Sequence, residues 1–147
     1  MARLAPFPIE YLRRTIDAEV VACNAKGMPD FGALHGGTAK PEEFCAWAFD
    51  LLALNGVSMR ERPLRARRSK LERLIARFDN GFVRFSEGFS DADKLLTECD
   101  RLGLEGVVSK RKDQPYRAGR CDWVKVKTKA WRETNRDRRE LFNPRKV

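Results

Sequence analysis

Two short blocks, Leu104–Lys112 (LEGVVSKRK) and Asp122–Lys127 (DWVKVK), hold the residue types that manage a phosphate and its counter-ion. In the second block a period of two places Trp123, Lys125 and Lys127 on one face of a strand and points Val124 and Val126 to the other, into the core. Two ammonium groups then converge on one spot. On an exposed strand such a pair is simply a soluble face; on a central strand it is costly unless an anion sits between the charges. In the first block Glu105, Val107 and Ser109 share a face, so Glu105 is a carboxylate on an otherwise apolar strand, directly after the helix-stopping Gly103. Its oxygens suit a hard cation such as Mg²⁺, bound directly or through water.

Other candidates lie earlier in the chain and in the loop between the blocks. Glu19 could supply a second oxygen near a ribose or a metal, or form an edge-strand salt bridge. Phe49, within FCAWAFDLLAL, could stack on a purine or join the core. Tyr116, Arg117 and Arg120, in DQPYRAGRC, could touch a nucleic-acid phosphate, although surface loops collect such residues without purpose. Lys110 closes the EGVVSK run.

The elements that must position these residues follow from periodicity. IDAEVVA (16–22) alternates as a strand, with Ile16, Ala18 and Val20 on one face and Asp17, Glu19 and Val21 on the other. NAKGMPD supplies a turn, and Phe31 to Leu34 a short helical turn before Gly36-Gly37. A second strand spans Phe44–Leu54 and ends at Asn55-Gly56. Leu64, Leu71, Leu74, Ile75 and Phe78 recur at helical spacing, which predicts an amphipathic helix over Pro63–Phe78 with arginines on the opposite face. After Asn80-Gly81 come a short strand at Phe82–Phe85, a helix from a Ser90 cap to Gly103, and two strands at Leu104–Lys110 and Asp122–Thr128. Trp131–Phe142 reads as a charged helix, facing DNA or solvent. The fold class is α+β, a mixed or antiparallel sheet with covering helices.

Composition bounds the function. With 147 residues, 42% apolar and 35% charged, the chain is long enough for one modest core. Its net charge is +9, and residues 105–147 carry 14 Lys and Arg against 6 Asp and Glu. A basic end of this kind suits a polyphosphate or nucleic-acid backbone, or else is a solvated tail. Cys23, Cys45, Cys99 and Cys121 form no C-x-x-C pair and have only His35 to help, so neither a zinc site nor a disulfide framework is indicated and the thiols are expected reduced. No signal-peptide run or stretch of about 20 apolar residues occurs, so the expected location is the cytoplasm, with no membrane partner.

In order and spacing, these blocks resemble the nucleotidyltransferase domain of ATP-dependent DNA ligases, particularly the bacterial nick- and break-repair type. IDAEVVACNAKGMPDFGAL looks like the block around the family's ribose-contacting glutamate, here Glu19. AFDLLALNG resembles the block whose phenylalanine stacks on adenine, here Phe49, and PLRARRSKLERL the helix that follows. LEGVVSKR is similar to the block whose glutamate acts at the metal, here Glu105, and DWVKVK to the block whose lysines contact the α-phosphate, here Lys125 and Lys127. Related RNA ligases and capping enzymes share these elements, but PDFGAL, AFDLLALNG and PYRAGR point toward DNA ligases. The resemblance implies the DNA ligase and mRNA-capping nucleotidyltransferase fold, ATP and Mg²⁺ (or Mn²⁺) as cofactors, and DNA as partner. It divides the chain into a lead (1–15), a partial adenylation domain (16–129) and a basic segment (130–147).

The chain also departs from that pattern. Such ligases form a lysyl-AMP on a Lys-x-Asp-Gly lysine, pass AMP to a DNA 5′-phosphate and let a 3′-hydroxyl displace it. No Lys-x-Asp-Gly occurs here, and residues 1–18 contain no lysine. The family's arginine-glycine block and C-terminal oligonucleotide-binding domain are also missing. The expectation is the C-terminal part of an adenylation domain, unable to self-adenylate, with an exposed apolar sheet surface or edge that favours self-association. The alternatives are a non-catalytic nucleic-acid-binding remnant and one half of a split ligase.

Overall fold

The computed structural model describes residues 13–25, 27–77, 81–119 and 123–136. Arg120, Cys121, Asp122 and the basic segment beyond Arg136 lie outside the described residues. The elements run β1 (Arg14–Ala22), α1 (Phe31–Gly36), β2 (Phe44–Leu54), β3 (Val57–Ser58), α2 (Leu64–Ile75), β4 (Val83–Phe85), α3 (Ala92–Arg101), β5 (Gly106–Ser109), β6 (Val124–Lys127) and α4 (Lys129–Thr134). They form two compact units. Of the described residues, those up to Glu87 together with 112–119 make the first, and those in 88–111 and 123–136 the second.

In the first unit β2 is the hub. It pairs antiparallel with β1 and, through a two-residue turn at Asn55-Gly56, with β3; β4 joins it in parallel. Positive φ at both Asn55 and Gly56 matches the right-handed twist of the strands they join, and these two residue types tolerate that conformation. Ala48, Leu51, Met59, Leu71, Leu74 and Ile75 form the buried core between β2 and α2, with Ile16, Leu54, Val83 and Phe85 at its margin.

Several expectations are corrected. The burial of β1 does not alternate cleanly, and its ladder with β2 is interrupted twice. Thr15 faces Ala53 but Ile16 faces Leu51; Asp17 faces Asp50 but Ala18 faces Ala48. Leu52 and Phe49 are thus the extra residues of two β-bulges, which bend the strand and re-aim side chains. At the end of β1 Val21 and Ala22 are both buried, while Val20 is exposed. The arginines of α2 do not all face away from the leucines. Arg67, three residues after Leu64 and four before Leu71, falls in the apolar stripe and is buried. The cap of α3 is Asp91, not Ser90: the helix begins at Ala92, and the Asp91 carboxylate accepts the Lys94 N–H at 3.0 Å.

Arg67 is buried against Asp50, which lies inside the apolar run of β2. Its Nε and Nη2 donate to the two carboxylate oxygens at 2.7 and 2.8 Å. Its Nη1 donates to the carbonyls of Arg62 (2.5 Å) and Gln114 (3.3 Å), so each guanidinium nitrogen has an acceptor. The 112–119 segment is held to the start of α2 in the same way. The N–H groups of Leu64 and Arg65, which have no partner within their own helix, donate to the carbonyls of Gln114 (3.0 Å) and Lys112 (2.8 Å), and Tyr116 N–H donates to Arg60 O at 2.8 Å.

The second unit is thinner. Strands β5 and β6 pair antiparallel, with Gly106 facing Lys127 and Val108 facing Lys125; α3 packs on β5 and α4 on α3. Val124 and Val126, expected to point into the core, are 59% and 36% exposed. Period two fixes which residues share a face but not whether another layer covers it, and among the described residues none buries these valines.

Candidate phosphate and metal site

The geometry around Glu105 and Lys127 starts from main-chain anchors on either side of them. Gly103 takes a positive φ at the end of α3, and Leu104 N–H then donates to Cys99 O at 2.8 Å. Thr128 is the N-cap of α4: its buried hydroxyl donates to Leu104 O at 2.7 Å and accepts the Trp131 N–H at 3.3 Å. Thr128 N–H donates to Glu105 O at 3.1 Å, and Asp100 in α3 accepts the Ala130 N–H at 2.9 Å. Gly106 is demanded by close approach as well as by its positive φ, since a Cβ there would meet Val126 O at 2.1 Å. These anchors bring the main chain at Glu105 against that of Lys127 and Thr128.

The side chains meet as a result. Glu105 Oε1 is ion-paired with Lys127 Nζ, the carboxylate side chain being 45% exposed and the lysine 28%. Lys127 Nζ also lies 4.3 Å from the centre of the Trp131 ring, and Lys110 Nζ lies 3.7 Å from that of Trp123. Lys125 is exposed on the same strand as Lys127. The expected face partners of Glu105 need correction: β5 begins at Gly106, so Glu105 precedes the ladder and its carboxylate reaches the Lys127 side.

This arrangement can exchange partners. An incoming phosphate would compete with Glu105 for the Lys127 ammonium, and the carboxylate is partly exposed to solvent. Among the described residues no group of three His, Cys, Asp or Glu side chains converges as a ready-made metal cage. A carboxylate oxygen such as that of Glu105 suits a hard cation like Mg²⁺, whose other ligands are usually phosphate oxygens and water.

The other candidates belong to the first unit. Glu19 is exposed on β1, facing Trp47 of β2. Phe49 is half-buried at its bulge, and its carbonyl accepts from Arg68 Nη1 at 3.0 Å. Arg68 also stacks on Phe85, with 4.8 Å to the ring centre, and burial lowers its pKa. Arg117 is exposed in the 112–119 segment, where Tyr116 lies against Arg60 and Arg67. Three features escaped the reading of the sequence: the aromatic partners of Lys110 and Lys127, the Thr128 clamp, and the Asp50–Arg67 pair. Only the last had a clear signal, an acid inside AFDLLAL that demands a buried partner.

Residues 6–127 match the model of the ATP dependent DNA ligase domain. The chain belongs to that family. Over 119 residues this ligase-domain chain is 37% identical to the multifunctional non-homologous end joining protein LigD of Pseudomonas aeruginosa, covering 78% of this chain and 14% of that protein. It is 40% identical over 86 residues to a probable DNA ligase of Dictyoglomus turgidum, covering 55% and 15%. Among solved structures it superposes on mycobacterial DNA ligase D complexed with ATP and MES with a TM-score of 0.67 at 30% identity, covering 79% of this chain and 38% of that one. The ligase domain of Mycobacterium tuberculosis LigD gives a TM-score of 0.66 at 28% identity, with the same coverage. The fold is thus that of the LigD ligase domains, the nucleotidyltransferase fold. The chain spans about a seventh of the two curated relatives and well under half of the solved ligase chains. Among the described residues no helix is long and apolar enough to cross a membrane.

Proposed function

We propose that residues 16–129 are the phosphate- and metal-facing part of an ATP-dependent DNA ligase adenylation domain, serving nick or break sealing in DNA repair and recombination in the cytoplasm. Residues 1–15 are its lead and residues 130–147 a basic segment that adds to DNA attraction. Lys125 and Lys127 contact the α-phosphate, and Glu105 holds Mg²⁺ or Mn²⁺ together with phosphate oxygens. Glu19 contacts the ribose, Phe49 stacks on adenine, and Arg117 and Arg120 face DNA phosphate. The cation, when bound, neutralises phosphate charge; the chain's own residues bind and orient. The observation that carries the reading is the Glu105–Lys127 ion pair, formed between the two blocks and exposed enough to open toward a nucleotide.

The 147 residues contain no Lys-x-Asp-Gly, so the covalent step has no nucleophile among them. Incubation with ATP labelled at the α-phosphate and Mg²⁺ should give no covalent adduct on this chain, while equilibrium dialysis should detect nucleotide that Lys127→Ala releases. A covalent AMP adduct on this chain would refute the first statement, and nucleotide binding indifferent to Lys127 the second. Adenylation restored by a polypeptide that carries Lys-x-Asp-Gly would mark the chain as one half of a split enzyme.

The concentration of basic residues after Glu105 favours a second reading, a nucleic-acid-binding remnant without catalysis. With about five phosphates contacted, log K for duplex DNA should fall with log salt at a slope near −4.5. Salt-insensitive binding would remove that reading.

A further inference from the structure

Cys23 and Cys45 are 22 positions apart in sequence, and the fold closes that distance. Cys45 is the second residue of β2 and faces Val21 of β1, while Cys23 follows β1 immediately and donates its N–H to Glu43 O at 2.8 Å. The two residues are thus diagonal neighbours across an antiparallel pair, and their sulfurs lie 3.4 Å apart. Both are free thiols. Cys45 is 2% exposed and Cys23 partly exposed, so Cys23 is the more accessible of the two residues.

We propose that Cys23 and Cys45 are a reversible dithiol–disulfide site, closed by small disulfides of the glutathione type and reopened by small thiols. Cys23, as thiolate, attacks one sulfur of the small disulfide; that S–S bond breaks, one small thiolate leaves, and Cys23 carries a mixed disulfide. Cys45 then loses its proton and attacks the Cys23 sulfur, displacing the second small thiol. Two protein thiols are oxidised to one disulfide and one small disulfide is reduced to two thiols. The sulfurs, 3.4 Å apart, need to approach by about 1.4 Å to reach bonding distance, with side chains and local backbone both adjusting. Burial and the neighbouring Cys23 raise the Cys45 pKa, so Cys45 stays a thiol at neutral pH and leaves the first attack to Cys23. Once closed, the bond fastens the end of β1 to the start of β2 and encloses α1 in a covalent loop. The inference does not depend on the ligase reading.

The test uses the full chain, oxidised with glutathione disulfide, alkylated and mapped by mass spectrometry without reduction. A Cys23–Cys45 cross-linked peptide, two hydrogens lighter than its reduced components, is expected, with Cys99 and Cys121 alkylated. The melting temperature should rise by on the order of 5–10 °C and return when dithiothreitol is added. Cys45→Ser should hold the glutathione adduct on Cys23, and Cys23→Ser should give neither adduct nor cross-link. Alkylation of both Cys23 and Cys45 in the oxidised wild-type chain would overturn the proposal, as would preferential cross-linking of either to Cys99 or Cys121.

Discussion

In the sheet of β1 to β4, the Asp50–Arg67 pair lies under α2 with both side chains almost wholly removed from water, whereas in the β5–β6 hairpin the Glu105–Lys127 pair stands partly in solvent. Both are carboxylate–cation contacts. Their settings give them different work. In the buried pair every guanidinium nitrogen already has an acceptor, from main-chain carbonyls as well as from the carboxylate. The exposed pair is open to solvent, and it is the pair that the proposed function divides between an anion and a cation. The surroundings follow the same division: the first unit has a dry core of Ala48, Leu51, Leu71 and Leu74, while the hairpin leaves its valines in water and relies on polar anchors such as Thr128. Proximity in an ion pair says little about function until its burial and remaining hydrogen-bonding capacity are known.

The largest effect should come from breaking the buried pair. Asp50→Ala leaves Arg67 charged and uncompensated and should cost about 3–5 kcal/mol in urea unfolding. A loss below about 1 kcal/mol would erase the contrast between the two pairs. Next, Gly106→Ala meets both a positive φ and the Val126 carbonyl, and should cost about 2–3 kcal/mol. Hydrogen exchange should show that loss in β5 and β6 while β2 and α2 keep their protection; equal loss in both would mean that the units do not respond separately. Thr128→Val removes the cap of α4 and the bond to Leu104, for about 1–2 kcal/mol, and should loosen α4 first in the same experiment. The smallest stability change belongs to Lys127→Ala, at most about 1 kcal/mol because the pair is partly exposed. That variant should instead lose nucleotide binding by dialysis, and Glu105→Gln should lose the dependence of that binding on Mg²⁺. A Lys127→Ala chain as destabilised as Asp50→Ala would give the two pairs the same structural role.

Much of this was legible in the residues, and the omissions have physical reasons. The strand Phe44–Leu54 was readable to its ends because a long apolar run stops at Asn55-Gly56, a turn pair with its own backbone preference. The helix Leu64–Ile75 was readable from its leucines, though not the burial of Arg67, since a charged residue in an apolar stripe is assigned to solvent until its partner is known. Periodicity presumes an unbroken ladder and therefore misses bulges, so the position of Phe49 could be guessed from chemistry but not its bulge. The exposure of Val124 and Val126 depends on what lies across the sheet, which a local pattern does not contain. The adjacency of Cys23 and Cys45 depends on strand register, which is equally non-local. At the candidate site, residue types and spacing singled out Glu105, Lys125 and Lys127 as candidates, while the aromatic contact of Lys127 with Trp131 depends on the turn into α4.

The segment from Lys112 to Gly119 joins β5 to β6, yet its hydrogen bonds run to the beginning of α2. A β-hairpin is ordinarily a portable cassette, with a connection that can be shortened or exchanged at little penalty. Here the connection is part of another element's capping, so shortening it to a tight turn would strip acceptors from Leu64, Arg65 and Arg67 at the same stroke. Transplanting β5 and β6 alone would leave those donors behind, so a graft has to carry the Lys112–Gly119 segment together with the first turn of α2.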